Sequence, residues 1–242
     1  RTVDGLRIGH GIFPPHCRML CGDLIFRKDK NMIYVGKPIG VSNLTVFPLT
    51  ADDPETGATY DAAVKVSRLI EVQVDPQFVK GELPSDDSLE DDITLISSVN
   101  VTIHASQLTD TIRAQLMGHT MDSTGGMLVK DNDQPIQLAL AFKFLLSDAS
   151  GDDSKYGYML LYKGRFQEFS ETYQTMDRNG DIKFQTHSGL KGTFVRRDAD
   201  RHLMYRMRED TPSYSTTKAA AWFTAPQEFT PPSPPPSPPP SP

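Results

Sequence analysis

Between Asp86 and Asp92 the chain crowds Asp86, Asp87, Glu90, Asp91 and Asp92 together. Carboxylates at that density could bind calcium, which takes several oxygen ligands from a shaped loop. Their spacing fits no EF-hand, and acidic runs are ordinarily solvated. "DRNGD" (Asp177–Asp181) offers a similar set, but Asn179-Gly180 between two strand-like runs reads as a tight hairpin turn. Cys17 and Cys21 are the only cysteines, and His10 and His16 lie nearby. Structural zinc needs four ligands, normally from two such pairs, and these four residues match no common spacing. His104 stands at the end of an alternating run. His119 follows a helix-like stretch, where a histidine gains from the helix dipole. None of the nucleophile-elbow, zinc-protease or phosphate-loop motifs occurs. These residues therefore predict no catalytic, cofactor or metal site, and the chain reads as a non-enzyme.

Charge narrows the partners. Residues 1–31 carry six Lys and Arg against three Asp, so the whole-chain −6 becomes −9 over the remainder. Such an excess gives no general attraction for phosphate backbones, which bind clustered Lys and Arg. The basic stretch "RRDADRHLMYRMR" (Arg196–Arg208) is the one local candidate, and its charges are spaced as on a strand's solvent face. No apolar run approaches the roughly 20 residues that span a bilayer, so no membrane partner is expected. The absence of cysteine after Cys21 fits folding in a reducing cytoplasm.

The elements that would position these residues are mostly strands. In "PIQLALAFKF", Ile136, Leu138, Leu140, Phe142 and Phe144 fall on one side and Gln137, Ala139, Ala141 and Lys143 on the other, the period of a strand with one buried face. Further strand-like runs follow in "YGYMLLYKGRFQEFSETYQT" and "IKFQTHSGLKGTFVRR". Turn-forming residues divide them, as an antiparallel meander requires. Earlier, strands are expected at Leu44–Pro48, at Ala63–Val74 and at Thr94–Ala105, with Pro76 breaking the second. Residues 77–92 then read as a polar, acidic loop. A helix begins near Gln107, capped by Ser106, with Leu108, Ile112 and Leu116 as its apolar stripe and Gly118 as its stop. A second short helix runs from Ser215 to Phe223, with Trp222 and Phe223 as core anchors. Strands around one packed helix predict a mainly β fold, a β-sandwich or partly closed barrel, with a short C-terminal helix.

Several ordered stretches also resemble a known family. "IYVGKPIGVSNLTVFPLT", "ETGATYDAAVKV", "LMGHTMDSTGGML", "YMLLYKGRFQEFSETYQT", "IKFQTHSGLKGTFVRR" and "AAAWF" are similar, in order and approximate spacing, to the major tail proteins of long-tailed bacteriophages. The resemblance covers about Met32 to Phe223. It implies a tail-tube subunit, a virion protein made in the host cytoplasm, whose copies form hexameric rings stacked into a hollow conduit. Its implied partners are further copies of itself, the tape-measure protein inside, and the terminator and distal tail proteins at the ends. DNA would pass through without stable binding, repelled by a negative lining over a Debye length of roughly 8 Å.

That reading divides the chain into an extension (1–31), a tail-tube domain (32–230) and a Pro/Ser tract (231–242). The tract, nine prolines and three serines, favours an extended polyproline II spacer. The extension is expected to be disordered or not native. For ring-to-ring contact the candidates are Pro76, Gln77, Phe78, Val79 and Lys80 together with Asp86, Asp87, Glu90, Asp91 and Asp92, because long loops in compact domains are commonly functional. Terminal-arm contacts are expected at Val35, Gly36, Lys37, Pro38, Ile39 and Gly40. Two alternatives remain open: the tube of a type VI-like secretion or domesticated tail particle, and a ligand-binding β-barrel with an apolar pocket.

Overall fold

The computed structural model describes residues 36–66, 68–85, 88–106, 108–147, 155–167 and 187–231, without the side chains of 82–92 and 187–189. Its strands are β1 (Lys37–Asp53), β2 (Gly57–Tyr60), β3 (Val64–Val66), β4 (Leu69–Ser85), β5 (Ser88–Ala105), β6 (Thr120–Met121), β7 (Met127–Leu128), β8 (Leu138–Ser147), β9 (Lys155–Gln167), β10 (His187–Val195) and β11 (Met204–Arg208). Two helices, α1 (Asp110–Met117) and α2 (Thr216–Ala221), complete it. The main sheet is antiparallel and runs β2-β1-β8-β9-β10-β5-β4, with β11 on β9 and β3 on β1. Its path ends at β2 and β4 without closing, so the expected mainly β, sandwich-like architecture is what forms.

One core fills the space between the two halves of the curved sheet. Leu44 and Val46 of β1, Leu138, Leu140, Phe142 and Phe144 of β8, and Leu161 and Phe166 of β9 meet Val99, Val101 and Ile103 of β5 and Phe194 of β10. Helix α1 closes this core through Leu116 and Met117, joined by Leu108 just before it, with Ile112 packed against it. The helix is shorter than the sequence suggests. Thr109 caps it, its hydroxyl accepting from the Ile112 N–H, while Ser106 is tied to the Arg68 carbonyl instead. Gly118 ends it at φ +77°, and a Cβ there would run into the Gln134 carbonyl.

A second core lies on the opposite face of β8 and β9. Ala139, Ala141, Tyr158, Leu160 and Tyr162 pack with Phe47, Met207 and Trp222. Helix α2, capped by Ser215, delivers Trp222 at its C-terminus, fully buried and 5.4 Å from the Tyr158 ring. The expectation of one buried face on β8 is thereby corrected. Ala139 and Ala141 are wholly buried because α2 and its aromatics roof the side that alternation leaves for solvent.

Two other expectations change. The run Ala63–Val74 is two strands, since Arg68 at φ +60° turns the chain from β3, paired to β1, into β4, paired to β5. Pro76 does not end β4. It lies opposite Val99 in the last strand of the sheet, where a missing outward N–H costs no ladder bond. Part of "TADDPETGATYD" is likewise strand: β1 continues to Asp53 and returns as β2 through a turn in which the Asp53 carboxylate accepts from the N–H groups of Glu55 and Thr56.

Close approach explains Gly164. A Cβ there would land inside the ring of Phe194, which is fully buried. Gly164→Ala should destabilise the fold by about 1–3 kcal/mol through overpacking, and Trp222→Ala by about 3–5 kcal/mol through the cavity left. Urea denaturation followed by tryptophan-independent circular dichroism measures both, and a loss under 0.5 kcal/mol in either would contradict this packing.

Candidate assembly interface

The strongest surface feature is the β4–β5 ribbon. Up to Pro76↔Val99 one face of the pair belongs to the core. Between Gln77 and Phe78 the ladder slips by one residue, with the Ser97 hydroxyl donating to the Gln77 carbonyl. Beyond this bulge the ribbon leaves the core and stays paired out to Ser85↔Ser88, about 25 Å at the usual rise per residue. Opposed residues share a face. Phe78 and Ile96 therefore lie on one side, while Val79, Leu95 and Ile93 lie on the other. All five are 45–65% exposed. Among the described residues nothing covers these apolar side chains on the two faces of the projecting two-stranded ribbon, and such a ribbon is marginal alone in water.

The expected loop at Pro76–Asp92 is thus a correction: Pro76, Gln77, Phe78, Val79 and Lys80 are β4, and Glu90, Asp91 and Asp92 are β5. Backbone pairing supplies the order that a polar side-chain pattern hides. Asp86 and Asp87, and the side chains of the other acids, lie outside the described residues. Lys37, Pro38, Ile39 and Gly40 are built into β1, where Lys37, Pro38 and Gly40 pair with Ser147, Leu146 and Leu145 of β8. Gly36 precedes them, donating its N–H to Asp210. Val35 is outside the described residues.

The uncovered face of β4, β5, β10 and β9 is polar. Gln73, Asp75, Asn100, Thr102, Lys191, Thr193 and Gln167 line a shallow concavity of about 440 Å³ on it. Glu71 and Asp75 face Lys191 and Arg165 across these strands, so the described part of this face is balanced in charge. The acidic excess expected of a channel lining is not found on it.

No described cluster has the makings of a catalytic centre. His119 is held by Asp133, Nδ1 to Oδ2 2.9 Å, a clamp across the loop after α1. His104 is half-buried on the polar face. Cys17, Cys21, His10, His16 and Asp177–Asp181 are outside the described residues. Asp200, His202 and Glu228 bring ligand atoms within 4.8 Å of one another, but Arg197 already occupies the position of the cation. Its Nε donates to Asp200 (3.0 Å) and its Nη1 and Nη2 to Glu228 (2.8 and 2.7 Å). The guanidinium also stacks 4.1 Å from the Tyr162 ring centre.

Arg197 is the residue that sequence reading misplaces. It stands in a run of apparently solvent-facing charges, yet it is only 2% exposed. Its partners come from far along the chain: Tyr60, whose hydroxyl it meets at 3.3 Å, and Glu228. The Tyr162 hydroxyl donates to the Gln227 carbonyl, and Lys218 holds the Glu228 carbonyl. The last described residues are thus strapped over α2. Burial pushes the Tyr60 hydroxyl up to about 12, against the pull of Arg197.

Several carboxylates are held below their ordinary range. Burial alone would raise Asp52 and Asp200, but the N–H groups of Asp198 and Ala199 with Lys163 outweigh it for Asp52, and Arg197 with the His202 N–H for Asp200. The Arg208 fork does the same for Asp210. A depressed folded value means stability that is complete above the unfolded carboxylate range, about 4, and lost as pH falls from there through the lower folded values. Thermal unfolding between pH 7 and pH 3 should show that decline, and Asp52→Asn should lower the midpoint at pH 7 while flattening the slope. An unchanged slope would contradict the assignment. No family model matches this chain, and no curated protein does, so what its surface is for rests on geometry and on the sequence resemblance.

Proposed function

We propose that this chain is a structural subunit of the tail-tube kind, whose copies associate into rings and the rings into a hollow conduit for DNA. The observation that carries the reading is the β4–β5 ribbon, which exposes Phe78 and Ile96 on one face and Val79, Ile93 and Leu95 on the other. A subunit working alone gains nothing from this and incurs an aggregation hazard. A subunit that assembles gains a lever reaching beyond its own core.

Unpaired edges support the same reading. Among the described residues β4 terminates the sheet, so its outer edge has no described strand partner. Contacts that join unlike surfaces propagate, closing into rings where rotation permits and into filaments where it does not. The mainly β architecture with one packed helix agrees with what the resemblance implies. Tape-measure, terminator and distal tail proteins are the further partners proposed, with the virion tail as the location. The polar face of β4, β5, β10 and β9 is the candidate lumen surface. Its balanced charge suits a wall that neither captures nor strongly repels a polyanion.

Negative-stain microscopy and light scattering of the purified full-length protein provide the test. Rings or tubes are expected, with association that strengthens with concentration. Phe78→Ser combined with Leu95→Ser should weaken association at least 10-fold, because well-buried interface anchors each carry over about 1 kcal/mol. Monomer stability should stay within about 1 kcal/mol, since exposed positions contribute little to it. A wild-type protein that stays monomeric at every concentration would refute the function.

A further inference from the structure

Arg197 and Lys218 stand behind a surface that grips three consecutive residues, each through a different chemistry. The Glu228 carboxylate lies in the fork of the Arg197 guanidinium, accepting from Nη1 at 2.8 Å and from Nη2 at 2.7 Å. Tyr162 backs that fork, and Asp200 and Tyr60 fix its orientation. Lys218 Nζ donates to the Glu228 carbonyl at 2.7 Å and to the Thr230 hydroxyl at 3.0 Å. Between these polar points the Phe229 ring stands edge-on to Tyr205 and to His202, its centre 6.3 Å from each. Forked Arg–carboxylate pairs and edge-to-face rings are directional contacts, so the surface reads an acid, an aromatic ring and a hydroxyl in that order.

We propose that this surface is a peptide-recognition site, which the chain fills with its own residues 228–230 and which takes in exchange a partner segment of the same acid–aromatic–hydroxyl chemistry. Three observations mark these residues as a seated ligand. Their described hydrogen bonds to the rest of the chain all run to side chains, and none belongs to a strand ladder or a helix. They also sit shallowly: the Glu228 side chain is 56% exposed and Phe229 52%. Segments with few buried apolar contacts and exposed hydrogen bonds open at the smallest free-energy cost. Finally, their root is fastened separately. Gln227 donates from Nε2 to the carbonyls of Ala221 and Ala225, and its own carbonyl accepts from the Tyr162 hydroxyl. The end of α2 therefore stays closed when the three residues beyond Gln227 lift away.

Exchange is favoured over vacancy. Arg197 is only 2% exposed, and without Glu228 the guanidinium would keep Asp200 as its one described carboxylate. A cation so placed is costly to leave short of a partner, which draws in another carboxylate. Lys218 holds a backbone carbonyl, a group that any peptide supplies, and so adds affinity with little demand on sequence. Selectivity comes from Arg197 and from the Tyr205–His202 pair, which leave a neutral or non-aromatic segment with unmatched groups. The partner that fits is thus a chain segment with glutamate followed by an aromatic residue. This inference goes beyond self-assembly and holds whether or not copies associate.

The test uses the full-length protein and, as probe, a capped and fluorescein-labelled peptide of the sequence "PQEFTP" (residues 226–231). Glu228→Ala with Phe229→Ala empties the site. Fluorescence anisotropy should then show binding at least ~10-fold tighter than to the wild type, whose own segment competes at high effective concentration. Replacing the peptide's glutamate by glutamine, or its phenylalanine by alanine, should each weaken binding at least ~10-fold. A peptide with p-benzoylphenylalanine at the aromatic position should crosslink to Tyr205 or His202 on irradiation. Circular dichroism checks that the emptied variant is folded, and the milder Glu228→Gln takes its place if it is not. No binding by a folded variant, equal binding of the glutamine peptide, or crosslinks elsewhere would overturn the site. Unfolding of both variants would overturn it too, since residues 228–230 would then be part of the fold itself.

Discussion

Everything in this molecule depends on β8 and β9 being covered on both faces. Leu138, Leu140, Phe142 and Phe144 on one side, and Ala139 and Ala141 on the other, are all at 7% exposure or less. A strand pair in that position cannot be stable with a single layer beneath it. The curl of the sheet brings β5 and β10 across one face, and α2 with Trp222 seals the other. Small residues make the second seal possible. Ala139 and Ala141 leave room for the Tyr158, Tyr162 and Trp222 rings, which could not approach over larger side chains.

The seal is fixed from its edge by charge. Arg197 is buried because two carboxylates and two tyrosines meet it, and each of those partners would in turn be poorly satisfied without it. A buried cation with this many partners is costly to disturb from either side. It joins β2, β9, the turn before β11 and the C-terminal strap, which are distant in sequence and otherwise share only part of a core. The Asp52–Lys163–Asp198 group extends this fastening to the end of β1.

What was legible in the sequence was local. The alternation from Leu138 to Phe144, the stripe of Leu108, Ile112 and Leu116, the Gly118 stop, the short helix after Ser215 and Trp222 as an anchor all follow from residue types within one or two turns or strand repeats. What was not legible was supplied by distant partners. Nothing near Ala139 announces a helix 80 residues later. Nothing near Arg197 announces Tyr60. The acidic run after Pro76 resembles a loop because strand pairing is made by backbone groups and leaves no mark in the side-chain pattern.

The slip at Gln77 and Ser97 has a mechanical meaning. Inboard of it the β4–β5 ribbon is clamped by Val72, Val74, Val99 and Val101 against the interior; outboard it is a cantilever attached through one irregular rung. Bending strain applied outboard would concentrate there, sparing the interior. Polymers joined by such members would curve through many small deflections at their joints, each subunit remaining rigid.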